Sequence, residues 1–161
     1  MGNMSEAVQA EHTRIEQTEL ARMMEQGTVT RDPYISYLQS SLLVWWALEE
    51  QFELARELGV AARLMEDNSE MVGSFSTKRA SRNAKMHSAR VKAADLRVLG
   101  LGLCYGGKVM AKRIRDKAGF PVSHLHLPDG ARDKLHAVEA PQKQILEAFA
   151  QTRQWYEDAV Q

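Results

Sequence analysis

Apolar residues three and four apart organise the middle of the first third of the chain. Ile35, Leu38, Leu42, Trp45, Leu48, Phe52 and Ala55 fall on one face, the spacing of a long amphipathic helix. Asp32 stands as its N-cap and Pro33 at its first helical position, where the missing N–H is harmless. Upstream, Ala7, Ala10, His12, Ile15, Leu20 and Met23 form a looser stripe. They predict a first helix from a Ser5 cap to about Gln26, closed by Gly27 in the left-handed conformation. Residues 59 to 77 read as a short helix and a connection. Residues 78 to about 117 are helical again, basic in KRASRNAKMHSARVK and then apolar. GFPVSHLHLPDG is a loop by its Gly and Pro content. Ala131 to Val138 predicts a short helix, and Pro141 opens a last one carrying Ile145, Leu146, Phe149, Trp155 and Tyr156. Strand signals are nearly absent, so the fold class is all-α.

One stretch breaks the pattern. LRVLGLGLCYGGKVMAKRI, residues 96 to 114, is helical on both sides yet holds Gly100, Gly102, Gly106 and Gly107. Each Gly inside a helix costs about 1 kcal/mol relative to Ala. Three readings answer to this. The glycines let two helices pack closely. Or the stretch is a nucleotide-binding turn after a strand, but that fingerprint needs a second strand and an acidic partner downstream, and GFPVSHLHLPDG supplies neither. Or a kinked helix lies flat against a large planar ligand, in which case another element must cover the ligand's opposite face.

Composition narrows the field. A chain of 161 residues suits a single domain, 1–161, with its own core. Lys+Arg and Asp+Glu both number 21, so no basic surplus favours nucleic acid. Cys104 is the only cysteine, which rules out an intrachain disulfide and a multi-cysteine zinc site and favours a reducing compartment. The longest apolar runs, LLVWWAL and VLGLGLC, are far too short to cross a bilayer. MGNMSEAVQAEHTRIEQ lacks the apolar run of a signal peptide. The expectation is a soluble cytoplasmic protein with no membrane partner.

Among five histidines, His124 and His126 in HLHL read as plain polar loop residues and His87 as a solvated member of the basic stretch. His12 differs. In EHTRIEQTE it has Glu16 four residues on, on the same helix face. A metal-bound histidine commonly gives its second ring N–H to a carboxylate, which fixes the tautomer. An ordinary surface His–Glu pair has the same spacing.

Taken together, these segments resemble the heme oxygenase family. EHTRIEQTELARMMEQGTVTRDPYISYLQSSLLVWWALEEQFE is similar to that family's proximal half, with its H-T-x-x-E motif, a G-x-[VI]-T-R-D-like turn and a long helix ending in A-L-E-E. LGLCYGGKVMAKRIRDKA resembles the glycine-rich distal helix, L-G-D-L-S-G-G-Q-V-L, that bends over heme. ARDKLHAVEAP and the last helix match more weakly. The resemblance implies a compact multi-helix fold with a kinked, Gly-rich distal helix and heme, with its iron, as both cofactor and substrate. The implied reaction opens heme to biliverdin, CO and iron with O2 and electrons from a ferredoxin or an NADPH-dependent reductase. It further implies His12 as the axial ligand, Glu16 as its acceptor, Gly102, Gly106 and Gly107 as distal glycines, Arg132 as the partner of a heme propionate, and Phe149 and Tyr156 as pocket aromatics. The sequence departs from the family in three places. Leu103 occupies the position of the Asp that anchors distal water. Ser5 and Gln9 lie where a basic residue is expected before the axial histidine. The segment between ALEEQ and the distal helix is also shortened. The first departure motivates an alternative, a non-catalytic heme-binding carrier or sensor on the same fold. A di-iron oxidase or a thiaminase-like hydrolase on a related fold ranks lower, since no repeated E-x-x-H pair is present.

Overall fold

The computed structural model describes residues 5–161, and all regular structure among them is helical. In chain order the α-helices are α1 (Glu6–Glu16), α2 (Glu19–Gln26), α3 (Arg31–Gln51), α4 (Glu53–Leu58), α5 (Val60–Val72), α6 (Arg82–Ser88), α7 (Ala93–Arg113), α8 (Ala131–His136) and α9 (Gln142–Asp158). A π turn, Ile114–Ala118, prolongs α7, and a 3₁₀ turn, Ser123–Leu125, interrupts the following loop.

The stripe predicted from Ile35 forms the central helix, but its neighbours surround it. Tyr34, Ile35, Leu38, Leu42, Val44 and Leu48 are all fully buried. α3 begins two residues earlier than the Asp32 cap predicts. Thr30 is the cap, and the first helical bond runs from Tyr34 N–H to the Thr30 carbonyl. Pro33 is still tolerated, because it sits among the first-turn positions whose N–H groups have no helical partner. The helix also ends before the stripe does. Phe52 turns extended (φ −126°, ψ 122°), and Ala55 belongs to α4.

The first predicted helix is two helices. Ser5 accepts from the Val8 N–H as expected, and Gly27 closes α2 at φ +74°. Between them Thr18 leaves the helical region. Its hydroxyl donates to the Ile15 carbonyl at 2.7 Å and accepts from the Ala21 N–H at 3.3 Å, ending one helix and capping the next. At Gly27 a side chain would be strained by the positive φ, and a β-carbon would also stand 2.5 Å from the Arg113 carbonyl oxygen. α2 is thereby seated close on the end of α7.

The helical stretch predicted from residue 78 is also divided, by the turn between α6 and α7. His87, expected in solvent, is 1% exposed. The Trp155 indole N–H donates to its Nδ1 at 3.1 Å, so Nε2 carries the proton and donates to Asp95 at 2.6 Å. This single ring ties α6, α7 and α9 together. The shortened middle region closes in a similar way. Gln39 accepts from the Arg79 backbone N–H and donates to Asn68, while Ser40 accepts from the Ser81 N–H. Buried polar side chains of α3 thus satisfy the backbone of the connection from α5 to α6, where unpaired groups would each cost about 1–3 kcal/mol.

Candidate functional site

α1 and α7 both pack along α9 and scarcely touch each other. α9 thus lies between α1 and α7, and the space between these two helices over α9 is the candidate cleft. α1 contributes no fully buried residue, although Ala7, Ala10 and Ile15 lie on it.

The four glycines of α7 divide between two faces. Successive helical residues turn by about 100°, so Gly100 and Gly107 share one face and Gly102 and Gly106 another. The first face is packing. A β-carbon at Gly100 would stand 2.5 Å from the Leu135 side chain of α8, and one at Gly107 would stand 2.6 Å from the Leu125 carbonyl oxygen. Gly107 thus turns toward the 3₁₀ turn and not toward the cleft. The second face is open. Among the described residues, nothing outside the helix's own backbone lies within 4 Å of the β-position of Gly102, and Gly106 meets only the tip of Met110 at 3.5 Å. The α-helical pattern runs unbroken through all four, and the irregular π turn comes after them.

Substitution should separate the two faces. Gly107→Ala is expected to destabilise the fold by about 1–3 kcal/mol, because a backbone carbonyl must move. Gly102→Ala should instead stabilise it by up to about 1 kcal/mol through helix propensity. Urea denaturation of the two variants measures the contrast, and equal effects would contradict the two-face assignment.

The His12 ring, on α1, and the Phe149 ring of α9 meet edge to face, with centroids 6.0 Å apart. Its Nδ1 is shielded from solvent and lies 2.9 Å from a Glu16 carboxylate oxygen. The oxygen is out of line with the N–H, so this is an ion-pair distance and not a formed hydrogen bond. Among the described residues Nε2 has no hydrogen-bond partner, and the side chain is 41% exposed. Among the described residues, one imidazole nitrogen has no partner and the other has a carboxylate within hydrogen-bond distance.

The remaining residues implied by sequence fall in three places. Leu103, partly buried, packs on the core beside Gly102. Arg132, exposed at the start of α8, rests its guanidinium 4.7 Å above the Tyr105 ring, and the Tyr105 hydroxyl meets His136 Nε2 at 2.6 Å. Tyr105 lies on the exposed side of α7 near Gly102 and Gly106, so Arg132 is at the rim of the open face. Tyr156 stands seven residues beyond Phe149, about 10 Å along α9, and is stacked edge-on against Tyr37 at 6.0 Å. Burial pushes its phenol up to about 12. It is partly buried and packs against the core.

His124, expected to be a plain loop residue, is 1% exposed and lies in a buried network. Its Nδ1 donates to Asp67 at 2.6 Å and its backbone N–H to the same oxygen at 2.9 Å. Ser123 gives the other Asp67 oxygen its hydroxyl at 2.6 Å and its backbone N–H at 3.2 Å. The Tyr37 hydroxyl meets His124 Nε2 at 2.9 Å. Burial alone would raise the Asp67 carboxyl, but the His124 and Ser123 bonds bring it below its ordinary value. Burial holds the His124 imidazole below its ordinary value, against the opposing pull of Asp67.

No family model and no curated protein matches the sequence. Solved structures do. The heme oxygenase of Leptospira interrogans aligns with a TM-score of 0.72 at 19% identity, over 94% of this chain and 91% of that one. Heme oxygenase-1 of the cyanobacterium Synechocystis, solved in complex with heme, aligns with a TM-score of 0.74 at 16% identity, over 95% of this chain and 88% of that one. Across nearly its whole length, this chain has the all-α fold of the heme oxygenases.

Proposed function

We propose that the protein binds heme in the cleft between α1 and α7 and opens it oxidatively to biliverdin, CO and iron. The observations that carry this reading are His12 on α1, whose Nε2 has no hydrogen-bond partner among the described residues, and the open Gly102–Gly106 side of α7. Among the described residues, no three His, Cys, Asp or Glu side chains converge to hold a bare metal ion. A lone histidine suits a metal whose other donors arrive with a macrocycle, and a glycine face suits a flat ring.

Heme, when bound, supplies the iron that takes O2 and the ring that is opened. The protein's part is binding, orientation and proton supply. His12 Nε2 would hold the iron, and Glu16, 2.9 Å from Nδ1, would accept the other ring N–H and fix the tautomer. The Phe149 edge limits rotation of the imidazole. Gly102 and Gly106 admit the helix backbone to the ring face, where a methyl group would hold it away. Arg132 pairs with a carboxylate at the rim, where a guanidinium forms a planar fork that lysine cannot copy. Leu103 offers no polar atom and the helix beside it is unbroken, so this position would hold no proton-supplying water, and slow turnover is expected. Electrons come from a ferredoxin or an NADPH-dependent reductase. No helix among the described residues is long and apolar enough to cross a membrane, and we assign the protein to the cytoplasm.

His12→Ala is expected to abolish the histidine-ligated hemin spectrum, leaving at most loose binding in the cleft. Gly102→Ala, which leaves the fold intact, should weaken hemin binding in the same absorbance titration. An unchanged spectrum and affinity in His12→Ala would refute the ligand. The second reading, a heme carrier or sensor, is favoured by Leu103 alone. Single-turnover absorbance with ascorbate or a ferredoxin system, with catalase present, separates the two. Biliverdin formation supports the enzyme, and intact heme supports the carrier.

A further inference from the structure

The Asp67–His124–Tyr37 network is more directional than a structural tie requires. All four groups around Asp67 are donors, so the carboxyl is an ionised acceptor. The His124 Nδ1 proton is therefore committed to Asp67, and Nε2 carries only its lone pair. The Tyr37 hydroxyl must donate to that lone pair, at 2.9 Å. Tyr37 is 3% exposed. Its ring lies 5.8 Å from Tyr34 and 6.0 Å from Tyr156, whose own ring is 5.0 Å from Trp155. Phe120 closes the far side of Tyr34 at 5.2 Å. Three phenols and an indole thus form one continuous aromatic set in and beside the core, and among the described residues only the Tyr37 hydroxyl of this set meets an imidazole lone pair.

We propose that Tyr37 is a redox-active tyrosine that gives its phenolic proton to His124 when it loses an electron. Removing an electron from a phenol makes the O–H strongly acidic, so oxidation is accessible only where the proton has somewhere to go. Here the Tyr37 O–H bond breaks and an N–H bond forms at His124 Nε2. The electron passes to a one-electron oxidant, either a metal centre in a higher oxidation state or a photochemical oxidant. The products are a neutral phenoxyl and an imidazolium, and the latter is stabilised by the Asp67 charge already in contact with it. Re-reduction returns the proton along the same hydrogen bond. Tyr34 donates to the Pro121 carbonyl at 2.6 Å, and an amide oxygen is no base of that strength. Burial holds the Tyr37 phenol well above its ordinary value, so it stays protonated until it is oxidised. The triad alone carries this inference, which stands whether or not the cleft opens heme.

The test uses the full chain in the Tyr105→Phe background, which removes the one exposed phenol, at 54% exposure. Photolysis with tris(bipyridyl)ruthenium and persulfate, frozen and read by electron paramagnetic resonance, should give a phenoxyl signal. That signal should disappear in Tyr37→Phe and survive in Tyr34→Phe and Tyr156→Phe. Its hyperfine coupling to a hydrogen-bonded proton should vanish in deuterium oxide. His124→Gln, if folded by circular dichroism, should lower the yield at least tenfold. Tyr37→Phe removes only a hydroxyl, so it remains decisive if His124→Gln does not fold. A signal that persists in Tyr37→Phe, or a Tyr37 signal with no exchangeable-proton coupling, overturns the proposal.

Discussion

Asp67→Ala is expected to lower the free energy of unfolding by about 3–5 kcal/mol, the range for removing one partner of a buried ionic contact. Four donors lose their acceptor at once, two from Ser123 and two from His124. Asp67 and His124 are 2% and 1% exposed, so water cannot readily replace it. The loop carrying Leu125, against which Gly107 packs, is released with them. Tyr37→Phe, by contrast, removes one hydrogen bond and should cost about 1 kcal/mol. The network also sets a pH dependence. Folding depresses both groups, the carboxyl through its donors against burial and the imidazole through burial against the carboxylate. A group depressed in the folded state contributes fully above its unfolded pKa and loses that contribution as pH falls. Stability should therefore decline below about pH 6.5 as His124 is forced to charge. It should decline further below about pH 3.9, as Asp67 is protonated. Urea midpoints measured from about pH 8 to about pH 3 test both limbs. Asp67→Ala should flatten the acid limb and keep the His124 limb. An acid limb unchanged in that variant would place its origin elsewhere.

Leu103→Asp is the substitution expected to change turnover most. Positioned general-acid help contributes about 10²–10⁴-fold, and the wild-type side chain at this position can hold no water. A carboxylate beside the open Gly102–Gly106 face would anchor one there. The predicted result is an increase of about 10²-fold or more in single-turnover biliverdin formation, within that range, with hemin affinity little changed. Leu103 also packs partly on the core, so the variant should lose some stability, about 1–2 kcal/mol for an average core-edge change. Unchanged turnover with normal hemin binding would mean that residue 103 does not reach the distal face.

The parts of the fold legible in the sequence are those written in local patterns. The α3 stripe, the Ser5 cap and the Gly27 stop each depend on residues within a turn or two of one another. The break at Thr18 is hidden because IEQTEL continues a plausible polar helix face. The hydroxyl's two bonds, to Ile15 and Ala21, become visible only in three dimensions. The glycines stand out as an anomaly, and both helix packing and ligand approach are legible as explanations. Their division between faces depends on Leu135 and Leu125, which arrive from other elements. His12 and Glu16 are marked by their spacing. His124 escapes a sequence reading because its partner Asp67 lies 57 residues earlier and its other partner, Tyr37, 87 residues earlier. His87 misleads through its basic neighbours. Ala80, Ala84, His87 and Val91, spaced three or four apart and all buried, hold the correct signal.

α1 has a thermodynamic role beyond carrying His12. Eleven residues, with none fully buried, are too few to stay helical alone in water. The helix is held by its contact with α9, and with the proposed ligand in the cleft its order and ligand binding would form one equilibrium. Its amides should exchange fastest with solvent before ligand is added and slow markedly afterwards. Measured affinity then includes the free energy of ordering α1. Ser5→Ala, which touches no ligand, removes a cap worth about 1 kcal/mol and should weaken binding by about fivefold. Affinity in this protein can be tuned from the far end of a helix, with every contact inside the cleft unchanged.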